Sequence, residues 1–125
     1  MRKIIQSIFG SNSIAVHFTI KKPENLSSKD IIGNGFASFD LTVNNEVVLE
    51  GMNVAEYTVN YFESEKEARL NIGSFENPER YYNMNPLTEE VFVRVSSKNS
   101  PPLYAVDSFT ITVITVEKNI HEFVF

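Results

Sequence analysis

The strongest alternation of apolar and polar positions lies in residues 90–116. Val91, Val93 and Val95 alternate with Phe92, Arg94 and Ser96, so a strand here puts the valines on one face and the others on the opposite face. The polar run 96–102 follows, and its double proline, Pro101 and Pro102, excludes it from a sheet interior. A second period-two segment covers residues 104–116, where Phe109, Ile111 and Val113 alternate with Thr110, Thr112 and Ile114. Two amphipathic strands need an apolar layer over them, so the rest of the chain has to supply another sheet.

Residues 14–20 alternate Ile14, Val16, Phe18 and Ile20 against Ala15, His17 and Thr19, which predicts a strand. Residues 21–34 are polar, contain Pro23 and Gly33, and read as a long loop with Leu26, Ile31 and Ile32 tucked against the core. A strand is expected over 36–43, anchored by Phe36 and Phe39; Asn44 and Asn45 then turn the chain into a short strand at 47–49. Residues 56–62 alternate Tyr57, Val59 and Tyr61 against Thr58, Asn60 and Phe62 and predict a strand. Ser64 and Glu67 have the spacing of a capping box, so one helical turn should start there with Ala68 and Leu70 facing inward. Residues 71–85 are loop-rich, with Tyr81 and Tyr82 as a brief strand, and the apolar tail 120–125 offers one more. The sum is an all-β chain, an Ig-like β-sandwich of about seven or eight antiparallel strands. Its expected divisions are an N-terminal arm (1–13), the sandwich (14–116) and a C-terminal strand or tail (117–125).

Composition narrows the class. At 125 residues and 42% hydrophobic, the chain is one domain able to bury a core. The net charge of −5 argues against nucleic acid or an anionic membrane as partner. With no cysteine, neither a disulfide framework nor thiolate chemistry is available. The run 4–9 is too short and interrupted for a signal core, and no apolar run approaches the roughly 20 residues of a membrane span.

The order of several short segments carries a resemblance. They are Phe36-Ala37-Ser38-Phe39-Asp40-Leu41-Thr42, then Tyr57-Thr58-Val59-Asn60-Tyr61-Phe62-Glu63-Ser64, then Ala68, then Asn77-Pro78 and Tyr82-Asn83. Val91-Phe92-Val93-Arg94-Val95 and Ser108-Phe109-Thr110-Ile111-Thr112-Val113 complete the march. Together, over residues 34–116, they resemble one Ig-like (PKD-like) repeat of the large secreted adhesins of Bacteroidetes. Repeats of that family often carry a cysteine before the first of these strands and another before the last; here both regions lack it. The resemblance implies a β-sandwich with a surface or adhesive role and brings no catalytic residue with it.

Candidate chemistry is sparse. His17 and His121 are the only histidines, and without cysteine they do not make up the three or four ligands of a zinc site. Glu63, Glu65 and Glu67 could attract calcium, but Lys66 and Arg69 sit among them and no Asp-rich loop frames them, so a solvated, self-paired face is expected. There is no nucleophile elbow and no Gly-rich phosphate loop. Arg94 is expected to pair with a carboxylate across the sheet or to project into solvent. The reading is therefore a non-enzymatic structural or adhesive module with no cofactor and no metal, whose partners are proteins, itself included, or surface glycans. Lacking a visible export signal, it is expected on a phage virion (capsid decoration, fibre base or spike), with a secreted cell-surface adhesin module and a carbohydrate-binding module as alternatives. The expected contact residues are apolar or tyrosine: Ile4, Ile5, Ile8 and Phe9 near the start, Tyr81, Tyr82 and Tyr104 in loops, and Phe123 and Phe125 near the end. Apolar arms are costly to leave in water, at roughly 25 cal/mol per Å², so an oligomer or shell-bound subunit is expected.

Overall fold

The computed structural model describes residues 18–99 and 102–115. The described residues run through six strands, with two short α-helices and three 3₁₀ turns between them. β1 (Leu26–Asp30), β3 (Tyr57–Phe62), β5 (Thr88–Ser97) and β6 (Tyr104–Thr115) form a four-stranded sheet in the order β1-β6-β5-β3. β2 (Ser38–Phe39) and β4 (Tyr81–Tyr82) form a small second sheet. The larger sheet is mixed: β5 is antiparallel to both β3 and β6, but β1 runs parallel to β6. The regular structure of the described part is thus mostly strand, built as two sheets.

The alternation read from the sequence sets the register. Val91 lies opposite Phe109, Val93 opposite Tyr61, and Val95 opposite Val59. Val91, Val93, Val95, Phe109, Ile111 and Val113 are all buried on one face. Phe39, Leu41, Val48, Leu49 and Tyr81, from the small sheet and the helical segment after it, close over them. Tyr61 reaches across, its ring edge-on to Phe109 at 6.0 Å and its hydroxyl donating to Asn45 Oδ1 at 2.6 Å. The opposite face of the sheet holds Phe62 and Arg94 beneath α2 (Glu65–Leu70).

α2 starts as the capping box predicts. The Glu67 amide donates to Ser64 Oγ, and that hydroxyl donates to Glu67 Oε1. Ala68 is fully buried, but Leu70 is 57% exposed rather than inward. The turn ends at Asn71, whose φ of +58° is a left-handed cap.

Residues 21–50 depart from expectation. The predicted long loop contains β1, which is short and polar and takes its place by pairing with β6. Of the apolar residues placed in that loop, Leu26 packs on the core, while Ile31 and Ile32 point into solvent. The predicted strand over 36–43 is only β2; the Asp40 carboxylate accepts from the Thr42 amide and starts a 3₁₀ turn at Leu41. Asn44 and Asn45 do not turn the chain through positive φ. They begin α1 (Asn44–Val48), which takes in most of the strand predicted at 47–49. The Asn44 side chain explains the switch: its Oδ1 accepts from the Glu24 amide and its Nδ2 donates to the Glu24 carbonyl, a side chain standing in for a strand partner. The strand predicted at 14–20 falls mostly outside the described residues; the described part, 18–20, is not strand, though Phe18 and Ile20 pack on the core. The tail 120–125 also lies outside them.

Candidate contact surface

One end of the large sheet is built around Asp30, where β1 stops. Its buried carboxylate accepts from the amides of Gly33 and Gly35 and draws loop 31–35 into a tight turn. These amides, Gly35 foremost and helped by Ile32 and Asn34, hold the carboxyl below its ordinary value against the opposing effect of burial. With its backbone held this way, the loop directs Ile31 (87% exposed) and Ile32 (81%) outward. Gly35 has φ +88°, a conformation that favours glycine, and a Cβ there would also crowd Pro86 at 3.2 Å.

A second loop, 84–87, packs against the first. The Leu87 amide donates to the Gly35 carbonyl at 3.0 Å, and the Leu87 carbonyl accepts from the Val113 amide at 2.7 Å. Those two bonds keep Leu87 at φ +72°, a conformation an ordinary side chain rarely adopts. Asn83 binds the two loops: its Nδ2 donates to the carbonyls of Gly35 and Asn85, and its Oδ1 accepts from the Ala37 amide. Glu89 secures the second loop by accepting from the amides of Met84 and Asn85 and from the Tyr81 hydroxyl. Both loops carry exposed apolar side chains, namely Ile31, Ile32 and Phe36 on one side and Met84 and Leu87 on the other. The result is a hydrogen-bonded end of the sheet with exposed apolar side chains on both loops. Sequence reasoning missed it by assigning the isoleucines to the core; the available signal was an Asp followed at the third and fifth positions by glycine, a pattern that suits a loop closed on its own carboxylate.

The tyrosines expected to make contacts separate. The Tyr81 ring is buried, stacks on Phe75 at 4.4 Å, and has its hydroxyl pKa raised by burial and by Glu89. Tyr82, beside it on β4, is 60% exposed. Tyr104 opens β6 rather than lying in a loop, and it sits opposite Ser96, at the other end of the sheet from Asp30. Ile4, Ile5, Ile8, Phe9, Phe123 and Phe125 lie outside the described residues, as do His17 and His121.

Among the described residues Arg94 pairs with no carboxylate, and it does not project into solvent. It is buried, and its Nη1 donates to the carbonyls of Ala68 and Arg69 at 3.0 and 3.1 Å, satisfying the open end of α2. Its Nε donates to Ser96 Oγ, and the guanidinium lies 3.8 Å from the Tyr104 ring centroid.

Within the acidic cluster, Glu65 pairs with Arg69 and Glu67 with Ser64. No group of three or more potential metal ligands occurs among the described residues. Two hollows flank α2: one of about 160 Å³ lined by Glu65, Arg69, Phe92, Val106, Asp107 and Ser108, and one of about 410 Å³ lined by Glu63, Ser64, Lys66, Glu67, Leu70 and Ile72. No helix among the described residues is long and apolar enough to cross a membrane.

No curated protein and no solved structure matches the chain. Residues 25–117 do match one family model, the Flavobacterium inter-domain disulphide bond domain (FIDD), and with three quarters or so of its length inside that match the protein belongs to this family.

Proposed function

We propose that this chain is a non-enzymatic structural module of an exterior protein, its two sheets forming the layers of an Ig-like sandwich, and that it works by packing against a neighbouring protein domain. The observation that carries this reading is the engagement of the buried polar groups. Asp30, Asn44, Asn83, Glu89 and Arg94 all bond to backbone groups and shape loops or helix ends. A catalytic group has to face a site that a substrate can enter, and these five face their own backbone.

The family description supports the partner. It names a disulphide between domains, which belongs to multidomain proteins of an oxidising compartment. This sequence has no cysteine, so a contact of that kind made by this chain is held by packing and hydrogen bonds alone. Of the exterior settings expected from the sequence, the inter-domain description favours a cell-surface protein over a virion component.

Cross-linking mass spectrometry on intact source cells, combined with protease shaving, tests the proposal. The expected result is release of this domain's peptides by external protease, with lysine cross-links to a second domain. Recovery only from the cytosol, without such cross-links, overturns the reading; recovery in purified phage particles restores the virion setting.

A further inference from the structure

Loop 31–35 ends in Asn34-Gly35, the one Asn-Gly pair in the sequence. This pair has a chemistry of its own. The glycine amide nitrogen, once it has given its proton to solvent base, can attack the asparagine side-chain carbonyl carbon. A carbon–nitrogen bond forms, the bond to Nδ2 breaks, and ammonia leaves carrying a proton drawn from solvent. A five-membered succinimide remains, and one water then opens it to aspartate or isoaspartate. Asparagine is thermolabile, and a following glycine, with no Cβ, leaves the approach unhindered.

In the folded loop the reacting groups are all engaged. The Gly35 amide is buried and donates to Asp30 Oδ2. A carboxylate holds that proton more firmly than a neutral acceptor would. The Gly35 carbonyl accepts from the Leu87 amide at 3.0 Å and from Asn83 Nδ2 at 3.1 Å, so the residue is fixed on both sides. Asn34 is exposed, and its Oδ1 accepts from the Phe36 amide at 3.0 Å.

We infer that Asn34 is a modification site gated by the Asp30 turn: its conversion to aspartate or isoaspartate waits for the loop to open and then opposes its closing. The second half follows from the chemistry. The succinimide nitrogen has no hydrogen to give Asp30. Isoaspartate adds a methylene to the backbone, and either product puts a second carboxylate four residues from Asp30. Because Leu87 and Asn83 both hang on the Gly35 carbonyl, the change reaches the second loop. The inference is independent of the proposed partner contact, and either can fail without the other.

The test follows conversion at Asn34 by peptide mass spectrometry in mildly alkaline buffer, on the full chain folded and in guanidinium chloride. The folded chain should convert at least about 10-fold more slowly. Below the unfolding transition, the conversion rate should rise with denaturant in step with hydrogen exchange at the Gly35 amide, which reports the same opening. Asp30→Asn keeps an acceptor but loses the charge, and a folded Asp30→Asn chain should convert faster than the native one. Equal rates in the folded and unfolded chain overturn the inference with no variant needed. Conversion that rises while Gly35 exchange does not also overturns it, as does a folded Asp30→Asn chain that converts at the native rate. Faster conversion in the fold than in denaturant makes Asp30 the base that takes the Gly35 proton rather than its clamp, and overturns it as well.

Discussion

Arg94 shows how one residue can join an element to the sheet. It reads as a solvent-side strand arginine, yet it is only 6% exposed and closes the C-terminal end of α2 with two hydrogen bonds to carbonyls. Removing it leaves those carbonyls and the Tyr104 face without their partner. Arg94→Ala is expected to lower stability by about 2–4 kcal/mol, read from urea unfolding. Arg94→Lys should recover only part of this, because an ammonium lacks the fork that reaches Ser96 and α2 together. Asp30 makes a pH-dependent contribution. Its folded-state pKa lies below its ordinary value of 3.8, so its stabilising effect is fully present above that pH and is lost as pH falls through the folded-state value. Denaturation midpoints measured from about pH 5 down to about pH 2 should fall less steeply in Asp30→Asn than in the native chain. An unchanged acid limb would mean that the carboxylate does not hold loop 31–35.

At the scale of elements, α2 and β1 show where local pattern suffices and where it does not. The capping box at Ser64 and Glu67 is purely local, and the helix starts where the two residues place it. Ser64→Ala should cost about 1 kcal/mol, and Glu67→Ala less, in equilibrium unfolding. β1 has the sequence Leu-Ser-Ser-Lys-Asp, which carries no periodic signal. It is a strand because β6 offers it a parallel edge, a partner roughly 85 residues away along the chain. The same applies to α1: Val47 and Val48 favour a strand locally, but Asn44 occupies the strand-like pairing with Glu24 through its side chain, and the following turn goes helical.

For the whole molecule, stability rests on the face shared by β3, β5 and β6 and the cover supplied by Phe39, Leu41, Val48, Leu49 and Tyr81. Phe109 is central: it is buried, opposite Val91 and edge-on to Tyr61. Phe109→Ala should cost about 3–5 kcal/mol, whereas Leu70→Ala, on the exposed side of α2, should change stability by less than about 0.5 kcal/mol. Comparable losses in the two variants would show that the core is not organised around this face.

Local pattern alone specifies the strands whose two faces differ. The inward face of β3, β5 and β6 repeats at every second residue through Tyr61, Val91, Val93, Val95, Phe109, Ile111 and Val113, and burying that face leaves one register. Local pattern also specifies the turn at Ser64 and the brief strand at Tyr81 and Tyr82, which depend on neighbours a few residues away. Tertiary structure decided the rest. Whether Ile31 and Ile32 go in or out depends on where the Asp30 carboxylate can gather amides, and that in turn depends on β1 lying along β6. Arg94 faces inward because α2 lies over it with two carbonyls in need of donors. Apolarity and charge rank residues for burial on average, but a turn closed on a buried carboxylate can hold an isoleucine in water, and a helix end can hold an arginine out of it.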